Sequence, residues 1–486
     1  MSLHSKSSNH EIKFSSVWIY PIIFVCVFAV YSPVILSQYA FMDDYWLLAA
    51  ALQHKSFMWG IVAAGRPLYA LSITQVFGML SQIGELTHLR TFAVFGIAVL
   101  VTLVYRALSL TSLPRAVAIS GALLIGLLPG YQVYAAWTTC FCFPWACALA
   151  ALAFTFCNEI HDLKSGWLRL CGSILLLSMS LATYQPAGMV FWDLAAIAWL
   201  LHPNIPSMRS MLTACGVMLS SMVIEYALVK FLPIALWGSS NNFSRTALVQ
   251  NYMEKKHWFF RDPLVSALNI FSIHPSSKVA LIVVVLILAG FFLFYERNLS
   301  KTLVRIGIAI FLIPATFTPN LIVAELWGPY RAQVALAGLI LICAIIAFLG
   351  WISFLQAHRW VPLLCLAVVS GSALAANRNL ITEFVVPQTS EYQVVKNNLL
   401  KEEFKQTDKI YFKFARSNTF SQVTRYDEFG LTSSAQSWVP APMFWLILKE
   451  HHSPFANLFA MDSPNLLTTP SPDCKIIDLN TILSPK

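Results

Sequence analysis

Two adjacent carboxylates, Asp43 and Asp44, are the residues of this chain best suited to acid–base chemistry. They come just after the first long apolar run. A single Asp at this place would be explained as a cap of the helix that begins near Tyr45, because its side chain can accept a hydrogen bond from the first helical turn. A second carboxylate exceeds that need. One of the two can face a cavity while the other caps or pairs.

The reaction that would use such a carboxylate is glycosyl transfer. The carboxylate takes the proton of an acceptor hydroxyl while that oxygen attacks the anomeric carbon of a sugar. The leaving group, a lipid phosphate, then needs positive charge to stabilise it. Cationic side chains near the Asp pair are therefore the next requirement.

Arg66 lies in the short motif Gly65-Arg66-Pro67-Leu68, about 20 residues after the Asp pair. Gly65 lets the backbone bend, and Pro67 is suited to the first position of a helix. Arg66 is either a snorkelling interfacial residue or an electrostatic partner of the Asp pair. Because both motifs lie in one loop, we favour the partner role.

Further candidates for substrate binding occur at breaks between apolar runs. Tyr184 and Gln185 form a polar turn, and they are either interfacial or hydrogen-bond sugar hydroxyls. A later break contains Glu325, Tyr330 and Arg331. The planar guanidinium of an Arg can bind two phosphate oxygens at once, so Arg331 is a candidate phosphate-binding residue. The alternative is that it is a snorkelling interfacial residue.

A Lys-Lys-His run, Lys255-Lys256-His257, stands beside Trp258 in the segment 238–276. Mixed charge of this kind is usually solvated surface. Basic residues next to interfacial aromatics can also bind a lipid phosphate at the headgroup level, so the three residues are candidates.

Other polar residues leave their role open. Those within or near apolar runs are interpreted as structural; they are Asp193, Glu225 and Lys230. The polar-aromatic block 425–430 is either a turn of the tail or a surface that faces an acceptor glycan.

The composition of the chain indicates which kind of structural element carries these residues. Of the 486 residues, 57% are hydrophobic and 11% are charged, whereas soluble proteins carry roughly 25% charged residues. Apolar runs of about 20 residues recur, which is the length of a membrane-spanning helix. The net charge of +9 fits Lys and Arg that flank the spans, and no dense basic cluster predicts nucleic-acid binding. No Cys and His spacing predicts a zinc site.

The distribution of basic residues orients the helices. With the N-terminus in the cytoplasm, every second loop is basic if the segment 66–84 does not cross, and it would then be re-entrant or interfacial. This predicts an all-α polytopic membrane protein with about eleven transmembrane helices and a small C-terminal α/β domain outside. The predicted domains are a transmembrane domain, 1–376, and an extracytoplasmic domain, 377–486. All the candidate residues above fall on the outer side or near it.

The chain resembles the GT-C superfamily of glycosyltransferases that use polyprenyl-phosphate sugars. More narrowly, it resembles the bacterial and phage serotype-converting glucosyltransferases that modify lipopolysaccharide O-antigen. The resemblance rests on four short stretches, which cover the layout of most of the membrane domain: Phe41-Met42-Asp43-Asp44, Gly65-Arg66-Pro67-Leu68, Thr183-Tyr184-Gln185 and Arg331, with the outer tail.

The resemblance implies an inverting hexosyltransferase in a bacterial inner membrane, with a periplasmic C-terminal domain. Its donor would be an undecaprenyl-phosphate-linked sugar, with glucose expected, and its acceptor an extracytoplasmic glycan. In the family an acidic residue of the first outer loop is essential. Carried over, Asp44 is the preferred base and Asp43 supports it. The Arg that often follows the pair is replaced by Tyr45-Trp46, which leaves the donor open. Members with monophosphate-linked donors generally need no metal, so none is expected.

Three other functions remain open from the sequence. A transporter or flippase of lipid-linked sugars would use the same basic groups without chemistry, but it predicts polar groups deep in several helices. An O-antigen polymerase or ligase usually has its key residues in large late outer loops. A non-catalytic scaffold would tolerate loss of both Asp43 and Asp44.

Overall fold

The computed structural model describes residues 17–160, 166–238, 247–295, 299–421 and 428–483. Residues 425–427 of the polar-aromatic block therefore lie outside the described residues. The described part is mostly α-helical, as expected where a bilayer leaves the backbone no other partner. The longer helices are Ile19–Leu36, Leu86–Ser109, Arg115–Gly126, Phe143–Asn158, Trp167–Thr183, Val190–Leu200, Met208–Trp237, Ser277–Phe294, Leu299–Ala315, Val334–Phe354, Val361–Leu380 and Val386–Leu399.

Shorter helices lie between these and in the tail; they are Asp43–Leu52, Met58–Ala63, Pro67–Phe77, Pro129–Ala136, Gln185–Gly188, Tyr252–Arg261, Pro263–Leu268, Thr318–Ile322, Pro440–Glu450 and Leu479–Leu483. Single tighter turns are found at Ile83–Glu85, Thr138–Cys140, Tyr330–Ala332, His358–Trp360, Ser433–Ala435 and Ala456–Phe459, and a wider π-helical turn at Ile381–Val385.

Within the described residues, seven helices are long and apolar enough to cross a membrane, or eight if the bent pair Arg115–Gly126 and Pro129–Ala136 is one span. The other predicted crossings fall on shorter helices, Trp167–Thr183, Val190–Leu200 and Leu299–Ala315. The prediction of a polytopic helical membrane protein is confirmed, while the orientation and the count of eleven stay predictions.

The segment 66–84, which was expected not to cross, contains the helix Pro67–Phe77 of 11 residues. At 1.5 Å per residue this helix reaches about half of the bilayer core. It follows Met58–Ala63 closely, and the two short helices pack together. The loop that carries the Asp pair and Arg66 is therefore a folded unit rather than an open connection.

The C-terminal tail forms a small α/β unit, as predicted. Its three strands, β1 (Lys409–Lys413), β2 (Leu466–Leu467) and β3 (Cys474–Asp478), pair in parallel in the order β2-β1-β3. Helices Pro440–Glu450 and Leu479–Leu483 belong to the same unit.

One continuous helical stretch joins this unit to the membrane part. Val361–Leu380 passes through the π-helical turn Ile381–Val385 into Val386–Leu399. The helix therefore runs without a break past residue 376, where the predicted membrane domain ends. The division into two domains stays a prediction.

The tail also packs directly on the loops of the membrane part. The backbone N–H of Met42 donates to Ser433 Oγ at 3.0 Å, and that of Ile83 donates to Glu450 Oε1 at 2.9 Å. These contacts hold the tail over the start of the helix that carries the Asp pair. The tail is thus part of the surroundings of the candidate site.

Candidate functional site

The Asp pair begins the helix Asp43–Leu52 after an unusual backbone turn at Met42. Met42 has a φ of 47°, a conformation that costs a non-glycine residue energy. Its N–H is held by Ser433 from the tail. The turn starts the helix abruptly, and the two carboxylates point in different directions.

Asp44 points into the protein, where its side chain is fully buried. One carboxylate oxygen accepts from the N–H of Phe41 at 3.0 Å, and the other accepts from the N–H of Thr139 at 2.9 Å. Burial raises the pKa of this carboxyl to about 7, against hydrogen bonds and Arg90, which lower it. Asp44 therefore stabilises the loop, and its oxygens are not accessible to a substrate.

Arg90 is a structural partner of Asp44 that our sequence reasoning missed. Its guanidinium is fully buried and donates to the carbonyls of Val34, Ser37 and Tyr39, and to Thr138 Oγ1, at 2.7–3.1 Å. Arg90 and Asp44 together fix the neighbouring residues Thr138 and Thr139. An Arg at the very start of an apolar run was the signal that could have identified it, because ionisable groups at the border of a span often have a specific partner.

Asp43 points the other way and is partly exposed. Its Oδ1 accepts a hydrogen bond from the indole Nε1 of Trp438, at 2.9 Å. The pKa of the Tyr69 phenol is raised, mainly by burial. The positive charge of Arg66 lowers this pKa, and the negative charge of Asp43 raises it. Asp43 and Arg66 therefore act on the same hydroxyl.

A cavity of about 490 Å³ brings together several of the predicted residues. The predicted residues among those that line it are Arg66, Tyr184, Gln185, Glu325 and Arg331. Glu225 and Lys230, which were interpreted as structural, also line it. Asp43 and Asp44 do not. The cavity is therefore lined by three basic and two acidic side chains together with apolar ones, and the candidate base stands outside its lining.

The backbone turn at Gly65 and the contacts of Gln185 and Tyr184 position Arg66 in this cavity. Gly65 has a φ of 85°, and a Cβ there would lie 2.9 Å from Gln185 Nε2. Gln185 donates from that amide to the Gly65 carbonyl and, at 2.7 Å, to Glu225 Oε1. The Arg66 guanidinium lies 4.9 Å from the centre of the Tyr184 ring. Gly65 is thus required both by its backbone conformation and by close contact.

Arg331 reaches the same cavity from a distant part of the chain. Its Nη1 donates to Glu428 Oε1 at 3.0 Å, and its guanidinium lies 4.9 Å from the centre of the Trp137 ring. Glu428 is fully buried and also accepts from the backbone N–H groups of Tyr330 and Arg331. This carboxylate from the tail fixes the orientation of Arg331, and no local pattern in the sequence distinguished it.

Tyr184 lies between the two arginines. Burial raises the pKa of its phenol to about 12, and Arg331 and Arg66 both lower it. The phenol face stacks on Phe143, with ring centres 4.1 Å apart and nearly parallel planes. Arg66 and Arg331 therefore both act electrostatically on the Tyr184 phenol.

The remaining predicted residues lie outside this cavity. Lys255 is buried. Its Nζ donates a hydrogen bond to the backbone carbonyl of Glu325 at 2.6 Å and lies 4.1 Å from the centre of the Trp258 ring. Burial lowers the pKa of Lys255 to about 8. Lys256 and His257 are exposed on the same helix. Tyr330 is buried and contributes its backbone N–H to Glu428. The structure does not bring these side chains to the cavity.

Two buried polar atoms of the cavity residues lack a hydrogen-bond partner within the described chain, Arg66 Nε and Asn320 Oδ1. An unpaired buried donor or acceptor is costly, and a bound polar ligand is one way to satisfy it. Among the described residues, no group of three His, Cys, Asp or Glu side chains is arranged to hold a metal ion. The expectation that no metal is required stays a prediction.

No family model and no curated protein matches this sequence. Two similar solved structures are of the oligosaccharyltransferase of Archaeoglobus fulgidus. One is AglB in complex with an inhibitory peptide and a dolichol-phosphate (TM-score 0.43, 11% identity, 83% of this chain and 63% of that chain). The other is a complex with Zn and sulfate (TM-score 0.42, 10% identity, 81% and 60%). The chain thus spans less than two thirds of either, and similarity at this level establishes neither family nor function.

Proposed function

We propose that this chain is an inverting membrane glycosyltransferase that moves a sugar from a polyprenyl phosphate to an extracytoplasmic glycan. The observation that carries the proposal is the convergence of Arg66 and Arg331 on one cavity, together with Tyr184 and Gln185. Two arginines from distant loops are what a phosphate leaving group requires.

The position of the cavity supports a lipid-linked donor. One wall is the helix Met208–Trp237, and most of the apolar part of this helix is exposed on the protein surface. A prenyl chain can lie along that exposed helix while its phosphate reaches Arg66 and Arg331. The unpaired Arg66 Nε and Asn320 Oδ1 are a donor and an acceptor for the phosphate and the sugar hydroxyls.

The general base of the proposed reaction is Asp43 rather than Asp44. Asp44 is buried and both of its oxygens accept backbone hydrogen bonds, so it cannot contact an acceptor. Asp43 is partly exposed, and its charge, like that of Arg66, acts on Tyr69. The role preferred for Asp44 on sequence grounds therefore passes to its neighbour, and Asp44 becomes a positioning residue.

The proposed reaction is a single displacement. Asp43 takes the proton of an acceptor hydroxyl, and the acceptor oxygen forms a new bond to the anomeric carbon. The bond from that carbon to the phosphate oxygen breaks, and the oxygen leaves with the bonding electrons. Arg66 and Arg331 stabilise the charge that the phosphate gains. Attack opposite the leaving group inverts the anomeric configuration.

The finer assignments follow the family resemblance and belong to this proposal. The donor is undecaprenyl-phosphate-linked, with glucose as the expected sugar, and the acceptor is a glycan such as O-antigen. The chain would lie in a bacterial inner membrane with its tail in the periplasm. That placement puts the Asp pair on the side where lipid-linked sugars are used.

Sugar transfer by purified protein tests the proposal directly. Protein in lipid nanodiscs is supplied with synthetic polyprenyl-phosphate glucose and an isolated O-antigen acceptor, and product is followed by mass spectrometry. We expect product from the unaltered chain and none from Asp43→Asn. A protein that moves the lipid-linked sugar between leaflets without forming a glycosidic bond would be a flippase and would overturn the proposal.

A further inference from the structure

We propose that the helix Val361–Leu380 carries a binding site for an anionic phospholipid with a hydroxyl-bearing headgroup. The site is separate from the cavity of Arg66 and Arg331. It combines a polar cavity at one end of this helix with an apolar cleft along the same helix, and it does not depend on the proposed transferase activity.

The polar cavity has a volume of about 650 Å³ and lies where the helix meets the tail. Its polar lining includes His274, Arg378, Asn379, Thr382 and Glu383. The π-helical turn Ile381–Val385 forms part of this wall. Such turns are rare and occur frequently at functional sites.

Arg378 supplies the positive charge of the cavity. Its guanidinium is exposed and has no ion pair or hydrogen bond with another residue in the described part of the chain. Glu383 is the negative group there; it is largely buried and lines the cavity. It accepts from Thr382 Oγ1 at 2.9 Å and from Ser421 Oγ at 2.6 Å. An anion can therefore bind Arg378, while hydroxyl groups beside it meet Glu383 and Asn379.

An apolar cleft of about 210 Å³ shares a lining residue with this cavity. Phe271 lines both spaces. Leu364 and Val368 line the cleft, while Ala375 and Asn379 line the polar cavity. Spacings of 4, 7 and 4 residues place all four on one face of the helix. A molecule lying along that face would have its apolar part in the cleft and its polar part at Arg378.

These two spaces together identify the chemical class of the ligand. The apolar cleft, lined also by helices Arg115–Gly126 and Val334–Phe354, suits an acyl chain. A phosphodiester suits Arg378, whose planar fork can bind two oxygens. A headgroup with free hydroxyls can donate to Glu383 and accept from Asn379. Phosphatidylglycerol has all three features, whereas the zwitterionic headgroup of phosphatidylcholine has a quaternary ammonium and no hydroxyl.

Arg359, near the other end of the same helix, provides a matched control. It is exposed and lies beside Trp360, with its guanidinium 5.5 Å from the ring centre. It lines neither the polar cavity nor the apolar cleft. A general attraction of interfacial arginines to lipid phosphate acts on both residues, but a built site acts only on Arg378.

Native mass spectrometry of the full chain tests the proposal. Detergent-purified protein is given equal amounts of phosphatidylglycerol and phosphatidylcholine, and the retained lipid is counted. We expect about tenfold preference for phosphatidylglycerol, because both lipids carry a phosphodiester but only the quaternary ammonium of phosphatidylcholine is repelled by Arg378. The preference should be lost in Arg378→Gln and kept in Arg359→Gln. Ala375→Trp, which fills the polar cavity and keeps Arg378, should also lose it. Equal retention of both lipids, or an Arg378→Gln protein that keeps the preference, would overturn the proposal.

Soluble glycerol phosphate separates the headgroup from the whole lipid. If the lipid is the ligand, glycerol phosphate raises the unfolding temperature much less than phosphatidylglycerol does. An equal rise from the soluble compound would overturn the assignment to a phospholipid and leave a soluble phosphate in its place.

Discussion

The indole N–H of Trp438 donates to Asp43 Oδ1 at 2.9 Å. This bond joins the C-terminal tail to the first turn of the helix that follows the first span. Trp438 is 43% exposed, so the indole also presents an open aromatic surface beside Asp43. The tail therefore forms one wall of the proposed catalytic region.

Loss of the Asp43 carboxylate should abolish most transfer without unfolding the protein. We expect Asp43→Asn to lower kcat by about 10²–10⁴-fold, the usual contribution of a general base. Its unfolding temperature should change little because the side chain is partly exposed and an amide oxygen can still accept from Trp438. Activity near that of the unaltered protein would exclude Asp43 as the base.

Replacement of Asp44 should have the opposite effect. Asn offers one oxygen acceptor where Asp44 offers two, so one buried N–H, of Phe41 or Thr139, loses its partner. We expect a loss of about 1–3 kcal/mol in stability, measured by thermal unfolding in detergent. The folded fraction should keep most of its kcat. A folded Asp44→Asn protein without activity would return the role of base to Asp44.

The same residue predicts a pH dependence of stability. Burial raises the pKa of Asp44 from 3.8 to about 7, so between these values the folded protein holds a proton that the unfolded chain has released. The contribution of Asp44 to stability therefore falls as pH rises from about 4 to about 7 and is constant above. Thermal unfolding across this range should show that slope in the unaltered protein and a smaller one in Asp44→Asn.

Trp438 can be tested without removing its ring. Trp438→Phe keeps an aromatic surface but lacks the N–H donor to Asp43. We expect kcat to fall about tenfold or more, as for one hydrogen bond to a charged group, with little change in the donor KM. An effect on the donor KM alone would place Trp438 in donor binding instead.

Arg66 and Arg331 should both act on the phosphate, but with different structural costs. Arg66→Gln should weaken binding of polyprenyl phosphate about tenfold or more, because a charge-assisted contact is lost. Arg331→Gln should also lower stability, since Glu428 is buried and loses its cationic partner. Isothermal titration and thermal unfolding measure the two effects. Lys256→Gln is the control, as Lys256 is exposed and outside the cavity; an equal loss of binding there would indicate general charge attraction.

The amino-acid sequence alone predicted a polytopic helical membrane protein and several residues of the cavity. Apolar length and low charge predict membrane helices because the bilayer imposes both. Polar residues at breaks between apolar runs were the candidates for binding. Four of them, Arg66, Tyr184, Gln185 and Arg331, line one cavity. The same reasoning also proposed Lys256 and His257, which are exposed and lie outside the cavity. The composition of a loop does not determine where that loop packs in the fold.

The difference in surroundings between the two residues of the Asp pair is visible only in the folded chain. Asp43 and Asp44 are neighbours with the same chemistry, and their difference comes from residues far along the chain. Thr139 and Arg90 surround Asp44 in the interior, whereas Trp438 meets Asp43 at the surface. Burial and hydrogen-bond partners set which carboxylate is structural and which is accessible, and both depend on long-range packing that local sequence does not contain.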